Sequence, residues 1–187
     1  MTTDVDRAFA DVVERLRAVT VAVEDGARGA GAGVVWAPGL VVTNAHVAAG
    51  RRARVRLEPN QEPLAAIVMA RDERRDLAAL AVAGLTMLPA AIRYDPPRPG
   101  ELALAVGNPF GLRGAATAGL VQRCNSRAVI ADVRLAPGNS GGPLADAVGR
   151  VIGINSMIAR GRAVAVPSAV IREFLSEAAG ATLGQAV

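Results

Sequence analysis

Apolar positions near the start of the chain recur at helical spacing. Val5, Phe9, Val12, Val13 and Leu16 fall at i, i+4, i+7, i+8 and i+11, while Asp6, Arg7, Asp11, Glu14 and Arg15 lie mostly off that face. The spacing predicts an amphipathic helix over 4–17 whose apolar stripe caps the core of its own chain. From Val19 the period changes. Short runs rich in Val, Ile, Leu and Ala occupy 34–36, 40–43, 55–57, 65–70, 77–82, 102–106, 118–121, 128–131, 148–154, 155–158 and 163–166, separated by Gly, Pro, Asn and Asp. About a dozen short strands at this spacing predict an all-β barrel or sandwich rather than repeated βαβ units. Arg52, Arg54 and Arg56 alternate with Ala53, Val55 and Leu57, which predicts the wet face of a strand. Pro96-Pro97-Arg98-Pro99-Gly100 is the expected link between two halves. After Pro167, Ser168 is placed to cap a second helix carrying Val170, Ile171, Phe174, Leu175 and Ala178 on one side, and 179–187 is expected to fray. No internal repeat is visible.

Composition narrows this picture. At 187 residues and 51% hydrophobic, one domain with a full core is expected. Only 3% of residues are aromatic, so the core must be built from Val, Ala, Leu and Ile. The net charge is +4 and every basic residue is arginine. The arginines are scattered, and few rings are present to stack bases, so no nucleic-acid partner is expected. Cys124 stands alone, which rules out an intrachain disulfide and leaves a cysteine-based metal site short of ligands. It reads as a small, half-buried residue. Neither an apolar leader nor a membrane-spanning run is visible, so the chain as written is expected in the cytoplasm. A piece cut from a longer precursor would instead be periplasmic or otherwise outside the cytoplasm.

Candidate chemistry starts from the single histidine, His46. Gly138-Asn139-Ser140-Gly141-Gly142 contains Gly-x-Ser-x-Gly, the pattern of the α/β-hydrolase nucleophile elbow. That fold needs its histidine after the serine and a strand–turn–helix around it; this chain has neither. Two orders remain, Asp–His–Ser and His–Asp–Ser. The first would draw on Asp4, Asp6, Asp11 or Asp25, three of which lie on the polar side of the predicted helix. The second offers Asp72, Asp76, Asp95 and Asp132. Asp76 opens an apolar run, so it is placed for burial, and a buried carboxylate needs a partner. That partner is the His46 imidazole or the neighbouring Arg74 or Arg75.

Thr43-Asn44-Ala45-His46-Val47, Asp76-Leu77-Ala78-Ala79-Leu80, Gly107-Asn108-Pro109-Phe110-Gly111-Leu112 and Gly138-Asn139-Ser140-Gly141-Gly142-Pro143-Leu144 stand in one order and spacing. Together they resemble the HtrA/Deg branch of the chymotrypsin-like serine proteases, across nearly the whole chain. The resemblance implies an all-β fold of two six-stranded β-barrels of the trypsin/chymotrypsin type, with short N- and C-terminal helices. The chain would be one protease domain: a helix over 1–18, a first barrel over 19–95, a link over 96–100, a second barrel over 101–166 and a C-terminal helix and tail over 167–187. It implies Ser140 as nucleophile, His46 as base and Asp76 as the group that orients it, with an oxyanion hole at Gly138, Asn139 and Ser140.

By the same resemblance, Ser156, Met157 and Ile158 form an edge for an extended peptide, and Leu135 and Ile158 line a pocket for an aliphatic side chain. Arg134 is expected to point to solvent; turned into the pocket it would favour acidic residues. The implied activity is hydrolysis of unfolded or damaged proteins in protein quality control, with unfolded or extended polypeptides as partners and no cofactor or metal. Relatives often form homotrimers through this domain, which the N-terminal helix would assist. They also usually carry PDZ domains and longer regulatory loops; the chain as written is expected to be a stand-alone protease domain with short loops, or a piece cut from a longer protein. The competing expectation is a peptide-binding or scaffold module on a protease fold, with an unassembled site.

Overall fold

The structure, a computed structural model, describes residues 3–26, 30–57, 62–159 and 161–184. Helix α1 (Asp4–Arg17) opens on a capping box in which Thr3 and Asp6 satisfy each other's backbone N–H groups. Its buried face, Val12 and Leu16 with Phe9 and Val13 beside them, packs on Leu104, Val106 and Ala145 of the same chain. From Phe9 onward the apolar stripe is therefore packed internally, while Val5 is exposed.

Twelve strands follow among the described residues. β1 (Thr20–Glu24), β2 (Ala30–Ala37), β3 (Leu40–Thr43), β4 (Arg52–Arg56), β5 (Leu64–Asp72) and β6 (Leu77–Val82) close into one antiparallel barrel in the order β1-β2-β3-β6-β5-β4. β7 (Leu102–Gly107), β8 (Ala115–Cys124), β9 (Val129–Ala131), β10 (Pro143–Asp146), β11 (Val151–Ala159) and β12 (Arg162–Pro167) close into a second, ordered β10-β11-β12-β9-β8-β7. Closure gives each described strand a partner on both sides for at least part of its length.

The unbroken apolar runs follow from burial on both faces. Val35 and Val41 point into the first barrel beside Val21, Val23, Val55 and Leu80. Their neighbours Val34 and Val42 point outward, onto Ile154 and Val166 of the second barrel. Helix α2 (Ser168–Gly184) inserts Ile171 and Phe174 into this shared cluster. It continues through Gly184, beyond the point where fraying was expected. In β4 the alternation is as read: Arg52 and Arg54 are exposed, and Ala53 and Val55 are buried.

One expectation needs correction. The Pro-rich segment 96–100 does not bridge the barrels. The crossing lies earlier, where Ala90 donates to the Val35 carbonyl of the first barrel and Arg93 donates to the Val151 carbonyl of the second. By Pro96 the chain already lies on the second barrel. Gly100 donates to the Val121 carbonyl, and Glu101 pairs with Arg93 at 2.6 Å.

Candidate active site

Strand pairing brings His46 and Asp76 together. β3 and β6 are neighbours with Thr43 opposite Ala78, so the residue that follows β3 meets the one that precedes β6. After Thr43 the chain makes a tight turn in which Val47 and Ala48 both donate to the Asn44 carbonyl. Ala45 and Val47 are buried and His46 between them is exposed. Its Nδ1 lies 2.9 Å from each carboxylate oxygen of Asp76, and its backbone N–H donates to Oδ1 at 3.2 Å. The Ser156 hydroxyl donates to Oδ2 at 2.5 Å. Arg75, a competing partner in the sequence, engages Asp72 and Glu177 instead.

This setting moves both acidities. Burial alone pushes the Asp76 carboxyl up, but the hydrogen bonds from the His46 ring, the Ser156 hydroxyl and the His46 backbone outweigh it and hold the group below its ordinary value. The hydrogen bond to Asp76 raises the His46 imidazole, partial burial opposes the rise, and the carboxylate charge adds to it.

Ser140 sits on a loop fixed from both barrels. Its carbonyl accepts from Ala32 of β2 at 2.8 Å, Gly141 donates to the Asn155 carbonyl at 2.8 Å, and Asn155 donates to the Gly142 carbonyl at 2.9 Å. Gly138 has a φ of 105°, and a Cβ there would stand 2.3 Å from the Asn108 carbonyl oxygen, so only glycine fits. The carbonyl of Pro137 accepts from Phe110 at 3.2 Å. Because this peptide is trans, the Gly138 N–H projects from the opposite edge. Among the described residues the N–H groups of Gly138 and Ser140 have no acceptor. The Asn139 N–H donates to the Ala136 carbonyl at 3.0 Å, closing a turn.

The Ser140 hydroxyl donates to the Ser156 carbonyl at 3.3 Å rather than to the His46 ring. Ser156 thus touches both halves of the site, Asp76 through its side chain and Ser140 through its backbone.

A cavity of about 270 Å³ opens beside Ser140, and Leu135, Ala136, Asn155, Ser156, Met157 and Ile158 lie on its wall. All four residues expected to contact substrate therefore border it. Arg134 does not; it is exposed, and Val133 before it is buried in the second barrel. Beyond Ile154, β11 pairs only with β12, so 156–159 presents one strand edge with no neighbour among the described strands. A larger hollow of about 680 Å³ adjoins Asp76 and Met157 and carries Arg74, Arg127 and Glu173.

Two closed antiparallel barrels with a His–Asp pair on one and a glycine-framed serine on the other define a trypsin-like fold. The chain belongs to the trypsin-like peptidase domain family, which it matches over residues 31–154. It is 40% identical over 158 residues to mitochondrial serine protease HTRA2 of Bos taurus, covering 76% of this chain and 34% of that protein. It is 35% identical over 195 residues to serine protease HTRA1B of Danio rerio, covering 90% of this chain and 41% of that protein. The chain thus spans well under half the length of these relatives. Among solved structures, the serine endoprotease of Yersinia pestis superposes with a TM-score of 0.83 at 26% identity, over 91% of this chain and 66% of that one. The Rv3671c protease of M. tuberculosis H37Rv, in an inactive form, superposes with a TM-score of 0.80 at 25% identity, over 89% of this chain and 92% of that one.

Two side-chain contacts of the site were not legible in the sequence. Asn44 holds the Asp76 backbone, and the Ser156 side chain holds its carboxylate. Both sit inside quoted motifs or the expected edge, yet only the folded register shows what their side chains touch.

Proposed function

We propose that this chain is a serine endopeptidase acting through Ser140, His46 and Asp76 on extended segments of unfolded or damaged proteins, in protein quality control. The observation that carries the reading is the link through Ser156, which joins the Asp76–His46 pair to the nucleophile loop. A substrate strand would pair along the open edge at 156–158, a form of strand addition. Its P1 side chain, on the residue whose carbonyl is attacked, would enter the 270 Å³ cavity between Leu135 and Ile158. Those walls suit Val, Ala or Leu.

A serine hydroxyl is a weak nucleophile until a base removes its proton. Ser140 Oγ rotates off the Ser156 carbonyl to His46 Nε2, which takes the proton as Oγ bonds to the substrate carbonyl carbon. Asp76 holds Nδ1–H and stabilises the imidazolium. The carbonyl π electrons move to oxygen, where the N–H groups of Gly138 and Ser140 receive the negative charge; one such donor contributes about 3 kcal/mol in other proteases. Collapse expels the amine, which takes its proton from His46. Water then repeats the sequence on the acyl-enzyme and restores Ser140. Nucleophile–base hydrogen bonds are often unformed before substrate arrives, so the resting Ser140 rotamer fits this route.

That same rotamer favours a second reading, a peptide-binding module with an unassembled site. Incubation with an unfolded protein separates the two. Wild-type chain is expected to cleave it, and Ser140→Ala and His46→Ala to lose cleavage. Undiminished cleavage by Ser140→Ala overturns the proposal, and peptide binding without turnover by the wild type selects the module.

A further inference from the structure

The larger hollow, about 680 Å³, shares Ser156 and Met157 with the cavity beside Ser140, so the two meet at the strand edge that carries substrate in the reading above. The charged groups on its wall divide by whether they are already satisfied. Asp76 is held by His46 and Ser156. Asp72 and Arg75 pair with each other, and Arg75 also grips Glu177. Arg74 and Arg127 remain: neither guanidinium has a hydrogen bond or an ion pair among the described residues. Both are exposed. Arg74 comes from the first barrel, on the turn between β5 and β6, and Arg127 from the second, on the turn between β8 and β9. Each turn is pinned by its own side chain. Asp72 Oδ1 accepts from the N–H groups of Arg74 and Arg75 at 2.8 and 3.0 Å, and Asn125 Oδ1 accepts from those of Arg127 and Ala128 at 2.8 and 2.9 Å. Glu173 on α2 is the one carboxylate on this wall with no such partner among the described residues. It offsets one of the two free cations, so the open groups still favour an anion.

We propose that Arg74 and Arg127 are specificity-determining residues that select an acidic side chain, Asp or Glu, at P2 or P4, the second and fourth substrate residues on the N-terminal side of the scissile bond. This rests on the protease reading above and adds a substrate class to it. Side chains of an extended strand alternate in direction. With P1 in the smaller cavity, P3 shares its direction, and P2 and P4 point the other way, toward the larger hollow. A guanidinium with no carboxylate of its own gives up only water to meet a substrate carboxylate, and its planar fork can engage both oxygens. Because both arginines are exposed, each such pair contributes little by itself and is weakened by salt.

The test gives the whole chain peptides with Val at P1 and either Asp or Asn, or Glu or Gln, at P2, P3 or P4. Each acid and its amide differ in charge but hardly in shape. Intact peptides are assayed for kcat/KM. The product peptides, ending in the P1 residue as a free carboxylate, are titrated for Kd, which needs no turnover. At low salt the acid is expected to exceed its amide about fivefold at P2 or P4 in both series, with no gain at P3. The gap should close in high salt. The double variant Arg74→Gln/Arg127→Gln is expected to bring acid and amide level, and Glu173→Gln, which removes the opposing charge, to widen the gap. Acid and amide handled alike at both P2 and P4, an equal gain at P3, a gain that survives the double variant, or a gap that Glu173→Gln narrows overturns the inference. Efficient cleavage without any acid preference leaves the protease reading intact. An acid preference in product binding with no cleavage of any peptide sinks the protease reading alone.

Discussion

The side-chain amide of Asn44 donates to the backbone carbonyl of Asp76 at 2.9 Å, and Asp76 has a φ of 55°. Positive φ is uncommon for a residue with a Cβ and persists only where the surroundings hold it. Asn44 is fully buried, so it serves as that hold. The strained backbone turns the carboxylate back toward both the ring and the N–H of His46. Asn44→Ala frees this backbone without touching the reacting groups. We expect kcat to fall by roughly a hundredfold with KM little changed, since displacement of a catalytic group by an ångström costs about that much. A lower urea midpoint should accompany it, from the unpaired Asp76 carbonyl. Wild-type kcat in a folded Asn44→Ala protein would show that Asp76 needs no such support.

The acidities of His46 and Asp76 set the pH response. The base must be neutral to act, and the hydrogen bond to Asp76 raises the imidazole above 6.5. Activity is therefore expected to fall toward acid with an apparent pKa above 6.5, and no other imidazole can contribute to that limb. Asp76→Asn removes the cause: the residual limb should move to lower pH, with activity down by roughly ten-thousandfold. Stability follows with opposite signs. A raised histidine contributes fully below 6.5, and that contribution is lost as pH rises through the folded value. A lowered aspartate contributes above 3.8, lost as pH falls through its folded value. Both contributions overlap between 3.8 and 6.5, where urea titrations should find the largest gap between wild type and Asp76→Asn.

Gly141 is where the two barrels touch behind the nucleophile. Its φ is 84°, and a Cβ there would stand 2.0 Å from the Ala32 carbonyl oxygen and 2.3 Å from Thr43 Oγ1. Thr43 Oγ1 itself donates to that carbonyl, so neither atom has room to yield. Gly141→Ala should cost about 3 kcal/mol or more and remove activity, since relief requires the barrels to separate. Gly100→Ala is the control. It has a similar φ of 88° with nothing within 4 Å of the added carbon. It should carry only the backbone strain, about 1–2 kcal/mol, with activity kept. Equal losses in the two variants would refute the inter-barrel argument.

What could be read ahead of the structure divides along physical lines. The strands buried on both faces announced themselves as runs, because every position there is apolar. β1 and β10 did not. β1 is five residues long and follows directly on a helix, and β10 begins with Pro143 and ends on the buried Asp146. That carboxylate is tolerated because Arg93 and Arg150 reach it, a pairing that needs the folded chain. Runs 148–154 and 155–158 proved to be one strand, β11, bent where its register shifts between Asn155 and Met157. Segment 96–100 looked like a break because proline and glycine end regular structure, yet they also suit a segment lying on a barrel. His46, Asp76 and Ser140 were accessible through order and motif. The roles of Asn44 and the Ser156 hydroxyl were not, because each depends on which way a side chain faces.

Helix α2 offers a comparison of two kinds of anchor. Arg75, next to Asp76, grips Glu177 with two hydrogen bonds of 2.6 and 2.9 Å. One turn earlier Phe174 is buried between the barrels with Ile171, against Val34, Leu77 and Ile154. The ion pair has the better geometry, but the Glu177 side chain is 61% exposed, so water and salt screen it. Glu177→Gln should therefore cost little, and the difference should shrink further in high salt. Phe174→Ala leaves a cavity where both barrels and the helix meet, and should cost about 3–5 kcal/mol independent of salt. Because that cluster includes Leu77, the residue directly after Asp76, Phe174→Ala should also lower activity, whereas Glu177→Gln should not. Urea denaturation of both variants at low and high salt decides the point, and a larger loss from Glu177→Gln would mean that the ion pair, not the buried ring, holds the helix.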